Sequence, residues 1–199
     1  DRATAGPPGG PRSRRLSGEK EPISPMANDH PPTHFLGYGD PGSAKSSFAA
    51  TCPKPMLVFS WDPVGKDTPY HVDPVTRLPR GEVSGLGVTE YGATYYDVTS
   101  RKTGKLLTRV ERWHNTSGEE YPDAYIRFLT RMHAFSREME QWTTVVIDSI
   151  SGMELASRMS HQFILNKDAK GEGKKQWWGG ASDDLERMVI LRFGSMPIN

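Results

Sequence analysis

Apolar residues enter this chain in distinct textures, and each texture predicts a different element. Met56-Leu57-Val58-Phe59-Ser60-Trp61 is a nearly unbroken apolar run, the pattern of a strand buried on both faces. Thr143-Thr144-Val145-Val146-Ile147-Asp148-Ser149 has the same texture and carries a carboxylate at its carboxyl end. From Asp123 to Gln141, Tyr125, Phe128, Leu129, Met132, Phe135 and Met139 recur at three- and four-residue steps, one face of an amphipathic helix. Residues 86–113 carry Val88, Tyr91, Thr94, Tyr95, Tyr96, Val98 and Thr99 before a turn at Lys102-Thr103-Gly104, then Leu106, Leu107, Val110 and Trp113. That alternation predicts a β-hairpin, placed as an insertion. Further helices are expected over about Met153–Leu165 and from a cap at Ser182 or Asp183 to about Phe193. Met196-Pro197-Ile198-Asn199 reads as the start of another strand. Strands alternating with helices predict a three-layer α/β domain with a mainly parallel sheet.

Residues 1–32 break the pattern, because they are rich in Pro, Gly, Ser and Arg and have almost nothing apolar to bury. Such a segment cannot offset its ordering entropy, so a disordered tail is expected there, with an ordered core over 33–199. Arg12, Arg14 and Arg15 read as a solvated charge cluster.

Composition narrows the class. With 35% apolar and 25% charged residues in 199, the chain can build one domain with a real core. A net charge of +1 makes no global case for nucleic acid, so any such site must be local. The single cysteine, Cys52, excludes an internal disulfide and a cysteine-rich zinc site, and reads as a small buried residue of a reduced compartment. The six histidines, 30, 34, 71, 114, 133 and 161, lack metal-ligand spacing. No apolar run approaches the ~20 residues of a membrane span. The expected location is therefore intracellular and cytoplasmic, with no membrane partner.

Candidate chemistry gathers around His34–Thr51. Phe35 and Leu36 enter a glycine-rich turn, and Lys45-Ser46-Ser47 opens a helix-compatible segment that Pro53 and Pro55 must stop. Read against G-x-x-x-x-G-K-[ST], Gly39 takes the first position, Lys45 the lysine and Ser46 the hydroxyl. The residues between and beyond, Asp40, Pro41, Gly42, Ser43, Ala44 and Ser47, complete a phosphate-holding turn. Backbone N–H groups of such a turn cradle phosphate oxygens, the lysine reaches the β/γ-phosphates, and the hydroxyl ligates Mg²⁺. Ala44 departs from the pattern, standing where the motif has glycine, and alanine costs about 1 kcal/mol or more where φ must be positive. The plainer reading is a glycine-rich hairpin that binds nothing.

Val145-Val146-Ile147-Asp148 resembles the Walker B element, whose carboxylate holds Mg²⁺ opposite the hydroxyl of Ser46. No glutamate follows Asp148, so hydrolysis needs another carboxylate to orient water. Asp62, at the end of the preceding buried strand, stands at the same edge of a parallel sheet; it reads equally as a turn-starting aspartate before Pro63.

The order of phosphate loop, short helix, strand ending in an acidic residue, helix and V-V-I-D-S resembles the RecA-like P-loop ATPase core. It is most similar in feel to small bacteriophage ATPases linked to single-strand annealing and recombination, an impression strengthened by L-V-F-S-W-D-P-V-G-K-D-T-P-Y over 57–70. The resemblance implies ATP and Mg²⁺ as ligands, Lys45, Asp62 and Asp148 in the catalytic roles, and a homo-oligomer formed through the ATPase core. It also implies that the first DNA-binding loop corresponds to residues 166–180. There Lys167, Lys170, Lys174 and Lys175 lie near Trp177 and Trp178, which combines phosphate attraction with stacking surfaces for single-stranded DNA. The alternative is a surface loop whose tryptophans pack back onto the core. Two other functions stay open: a non-hydrolysing nucleotide-binding or annealing module, and a small-substrate phosphotransferase. In RecA-like sheets the strand after the Walker B strand sits between it and the phosphate-loop strand. Here that strand would begin at Met196 and is cut off after Asn199, so the chain is expected to be a fragment of a longer protein.

Overall fold

The computed structural model describes residues 34–40, 43–62, 67–115, 122–165 and 176–188. All belong to the unit Pro31–Asn199. The expected tail over 1–32, Pro41 and Gly42 of the glycine-rich turn, the lysines of 167–175 and the strand expected from Met196 lie outside the described residues.

A five-stranded sheet forms the centre, in the order β2-β3-β4-β1-β5. Its strands are β1 (Met56–Ser60), β2 (Glu82–Val88), β3 (Thr94–Thr99), β4 (Leu106–Arg112) and β5 (Thr144–Asp148). All five residues of β1 are buried, as the unbroken apolar run requires of a strand covered on both faces. β1 pairs in parallel with β4 on one side and β5 on the other, with Ser60 opposite both Arg112 and Asp148. The β3–β4 hairpin is antiparallel, and β2 adds antiparallel to β3. The sheet is therefore mixed, not mainly parallel. The hairpin expected at 86–113 enters the main sheet through β4, and its strands begin earlier, at Glu82. The side chains of β2 are nearly all exposed and two of its residues are glycine, so it carries no alternating signal.

Apolar residues of β1 divide between two faces, as a period of two demands. Leu57, Phe59 and Trp61 join Trp113 and helix α2 (Ala124–Phe135) in one cluster, together with Met153 of helix α3 (Ile150–Ser160). Phe128 of α2 anchors it edge-to-face, its ring 5.3 Å from Phe59, 5.0 Å from Trp61 and 5.2 Å from Trp113. Met56 and Val58 point the other way, into Tyr70, Tyr96, Val98, Val110 and Ala50. Ala50 directly follows the short helix α1 (Lys45–Ala49), which ends before Pro53. Cys52 packs at the margin of this second cluster and is only half-buried.

Helix α2 is shorter than its apolar stripe, ending at Phe135; Met139 lies in a 3₁₀ turn, Met139–Gln141. Its Arg131 crosses to β4, where Nη2 donates to Glu111 Oε1 at 3.1 Å and to Glu138 Oε2 at 2.9 Å. Helix α3 starts at Ile150, directly after Ser149, whose hydroxyl accepts from the Gly152 amide at 3.1 Å as an N-cap. It continues into a π-helical turn, His161–Leu165.

The last helix departs from the sequence reading. Helix α4 runs over Gln176–Glu186, so Trp177 and Trp178 lie on a helix and not in a loop. Ser182 and Asp183 sit inside it and are not its cap. Gly179 and Gly180 are poor helix formers, which is why the sequence suggested a loop. Close packing explains the override: a Cβ at Gly180 would meet the His161 ring at 3.1 Å, Ala181 is buried, and His161 Nε2 lies 2.8 Å from Asp184 Oδ2.

Candidate functional site

Two neighbourhoods hold the chemistry. The first is the loop ahead of α1. Residues 34–40 form no strand and are exposed throughout, Phe35 and Leu36 included, so no strand leads into the loop among the described residues. The described residues on either side of Pro41 and Gly42 are tied to one another. The Lys45 ammonium folds back and donates to the carbonyl oxygens of Gly39 at 2.6 Å and Asp40 at 2.9 Å, and to Ser43 Oγ at 3.2 Å. The Ser43 amide donates to the Asp40 carbonyl at 3.1 Å. Ala44 is left-handed, with φ 61° and ψ 23°, and its carbonyl accepts the first helical bond, from Phe48 N at 2.9 Å. Left-handed backbone followed by right-handed helix turns successive amides toward one concavity, a geometry that favours anions. A Cβ at Gly39, whose φ is 154°, would stand 2.8 Å from Ser43 Oγ, so a side chain there would displace that hydroxyl. Ser46 and Ser47 follow on α1, both half-buried. Lys54 closes the far end of this segment, donating to the Ala50 carbonyl at 3.1 Å, and burial followed by the charge of Arg80 pushes its ammonium down to about 8.

The second neighbourhood is the carboxyl edge of β1 and β5. Parallel register sets Asp148 opposite Ser60, and the Trp61 amide donates to the Asp148 carbonyl at 2.6 Å. Asp62 thus comes to the end of β5, where the Ser149 hydroxyl donates to its Oδ1 at 2.9 Å. Ser149 therefore serves both as helix cap and as bridge between the two aspartate-bearing strand ends.

Tyr70 joins the two neighbourhoods. It ends a 3₁₀ turn, Thr68–Tyr70, that packs against α1, and its ring lies beside Ala50 in the second cluster. Its hydroxyl donates to Asp148 Oδ2 at 2.8 Å. Burial, and then the negative charge of Asp148, push the phenol above its ordinary range, so it stays protonated as a donor. Behind it, Asp67 is buried and paired with Arg112 Nε at 2.6 Å, while Tyr96 OH reaches the Asp67 carbonyl at 3.4 Å. Burial and then Asp67 also raise the Tyr96 phenol.

Of the residues singled out in the sequence, Gly39, Asp40, Ser43, Ala44 and Lys45 form one turn, and Asp62 and Asp148 form one sheet edge. Lys170, Lys174 and Lys175 lie outside the described residues, and Trp177 and Trp178 are described as helical backbone. Helix α4 contributes Leu185 to the cluster opposite α1, on the other face of the sheet. Tyr70 and Ser149, which hydrogen-bond Asp148 and Asp62, are candidates that motif reading passed over, although both lie within the quoted stretches 57–70 and V-V-I-D-S.

Among the described residues, no three His, Cys, Asp or Glu side chains gather as a metal site. The two oxygens that the motifs assign to a cation stand on different elements, the Ser46 hydroxyl on α1 and the Asp148 carboxylate at the end of β5. Two protein oxygens are too few to cage a cation by protein alone; of the hard cations, Mg²⁺ is the one usually held by one or two protein oxygens together with phosphates and water. Among the described residues no helix is long and apolar enough to cross a membrane. Comparison with protein-family models, curated proteins and solved structures finds no match for this chain.

Proposed function

We propose that this chain binds ATP with Mg²⁺ through the turn Gly39–Ser47 and hydrolyses it at the Asp62–Asp148 edge, as a RecA-like ATPase acting on single-stranded DNA. The observation that carries the reading is the fold-back of Lys45 onto Gly39, Asp40 and Ser43 around a left-handed Ala44. A free ammonium would extend into water. Here the loop carbonyls hold it over its own turn, beside converging amides, where an anionic phosphate can take their place as its partner.

Each residue then has a distinct task. Lys45 neutralises phosphate charge, and the Ser46 hydroxyl and Asp148 hold the cation. Bound Mg²⁺ would neutralise the charge that develops on the transferring phosphoryl group. Asp62 keeps Oδ2 for a water molecule, because Oδ1 already accepts from Ser149. That oxygen orients the water for attack on the terminal phosphorus and accepts its proton as the bond to the departing ADP breaks. The DNA partner rests on the lysine and tryptophan content of 166–180.

Calorimetric titration with ATP, combined with phosphate release, tests the assignment. Asp148→Asn should weaken Mg²⁺-dependent binding, whereas Asp62→Asn should keep binding and lose turnover. Loss of binding alone in both variants would remove Asp62 from the water-orienting role. An unchanged rate in Asp62→Asn would do the same.

A further inference from the structure

Tyr70 is held from three sides, and each contact comes from a different part of the chain. Its ring, 1% exposed, packs among Ala50 beyond α1, Met56 and Val58 of β1, and Val98 and Val110 of the hairpin. Its amide donates to the Asp67 carbonyl at 3.0 Å, and Asp67 is locked by Arg112 at the end of β4. Arg80 Nε donates to the Pro69 carbonyl at 2.9 Å, which fixes the turn from its outer side. The free end of this clamped side chain is one hydroxyl, 2.8 Å from Asp148 Oδ2.

We propose that Tyr70 is a positioning residue for the metal-holding carboxylate: it occupies Asp148 Oδ2 and so presents Oδ1 toward the phosphate turn. The proposal rests on the nucleotide-binding reading and assigns Tyr70 no contact with nucleotide. Partners that orient a metal-holding side chain typically affect metal affinity 10–100-fold when removed. The same clamp ties Asp148 to β4, so the hairpin strands set the geometry of the site without touching the ligand.

The test is ATP binding as a function of Mg²⁺ concentration, in the whole chain and in Tyr70→Phe, which keeps the ring and removes only the hydroxyl. The Mg²⁺ concentration for half-maximal effect should rise about tenfold or more. ATP affinity in excess EDTA should stay within about twofold of wild type, since the hydroxyl acts through the carboxylate. In an Asp148→Asn background, Tyr70→Phe should add nothing, because residues acting as a unit are not additive. A wild-type Mg²⁺ response in Tyr70→Phe beside an impaired Asp148→Asn would overturn the inference and leave the nucleotide reading standing. Equal loss with and without Mg²⁺, or a full additive loss in the double variant, would reduce Tyr70 to a packing residue and overturn it as well. Absence of ATP binding by the wild-type chain would sink both.

Discussion

At Ala44 the backbone adopts φ 61°, a conformation in which the Cβ of an L-residue crowds the following carbonyl. The motif's glycine would sit there without strain. Ala44→Gly should therefore stabilise the chain by about 0.5–1 kcal/mol, the gain from relieved strain exceeding the added freedom of the unfolded chain. Urea denaturation measures it, and ATP affinity should hold or improve; a clear loss of stability would mean that the turn tolerates alanine without strain. The mismatch at Ala44 was legible in the sequence because the turn is built by near neighbours along the chain, Gly39, Asp40, Ser43, Ala44 and Lys45. Tyr70 and Ser149 were not, since their partners Asp148 and Asp62 stand 78 and 87 residues away along the chain. No local pattern encodes a hydrogen bond that the sheet register creates.

Among the elements, those whose burial is symmetric were the plainest to read. β1 carries a short unbroken apolar run and is buried throughout, and α2 carries a stripe that meets Phe59 and Trp61 edge-on. β5 has the same apolar texture but lies at the end of the described sheet and is only half-buried, so the burial expected of it on both faces is not met. β2 and α4 escaped for opposite reasons: β2 presents exposed side chains and glycines, whereas α4 contains Gly179 and Gly180 that tertiary packing against His161 makes acceptable. Strand direction was also hidden, because burial of β4 reveals nothing about whether its neighbour β1 runs parallel. The α2–β4 contact yields a sharp expectation. Glu111 is 1% exposed, and burial raises its carboxyl while Arg131 opposes that shift. Removing the guanidinium strands a buried carboxylate, so Arg131→Leu should cost about 3–5 kcal/mol. Replacing both partners by leucine should cost clearly less, since no charge is then left without a counterpart. Denaturant melts of the two variants decide it; equal losses would show that packing of the arginine stem, and not the ion pair, holds α2 on β4.

On the scale of the whole molecule, one sheet separates two clusters. Helices α2 and α3 cover one face with Leu185 of α4, and α1 with the Thr68–Tyr70 turn covers part of the other. That division sets the lysine-bearing turn and the two aspartates on elements that meet through Tyr70. Among the described residues β5 pairs only with β1. The account stands on phosphate binding by Lys45, and isothermal titration of the chain with ATP and Mg²⁺ tests it most directly. Wild type should bind saturably, and Lys45→Ala should lose that binding while its melting transition stays unchanged, because Lys45 contacts loop oxygens and supports no core. Equal ATP affinity in the two proteins, or no binding by either, would contradict the account.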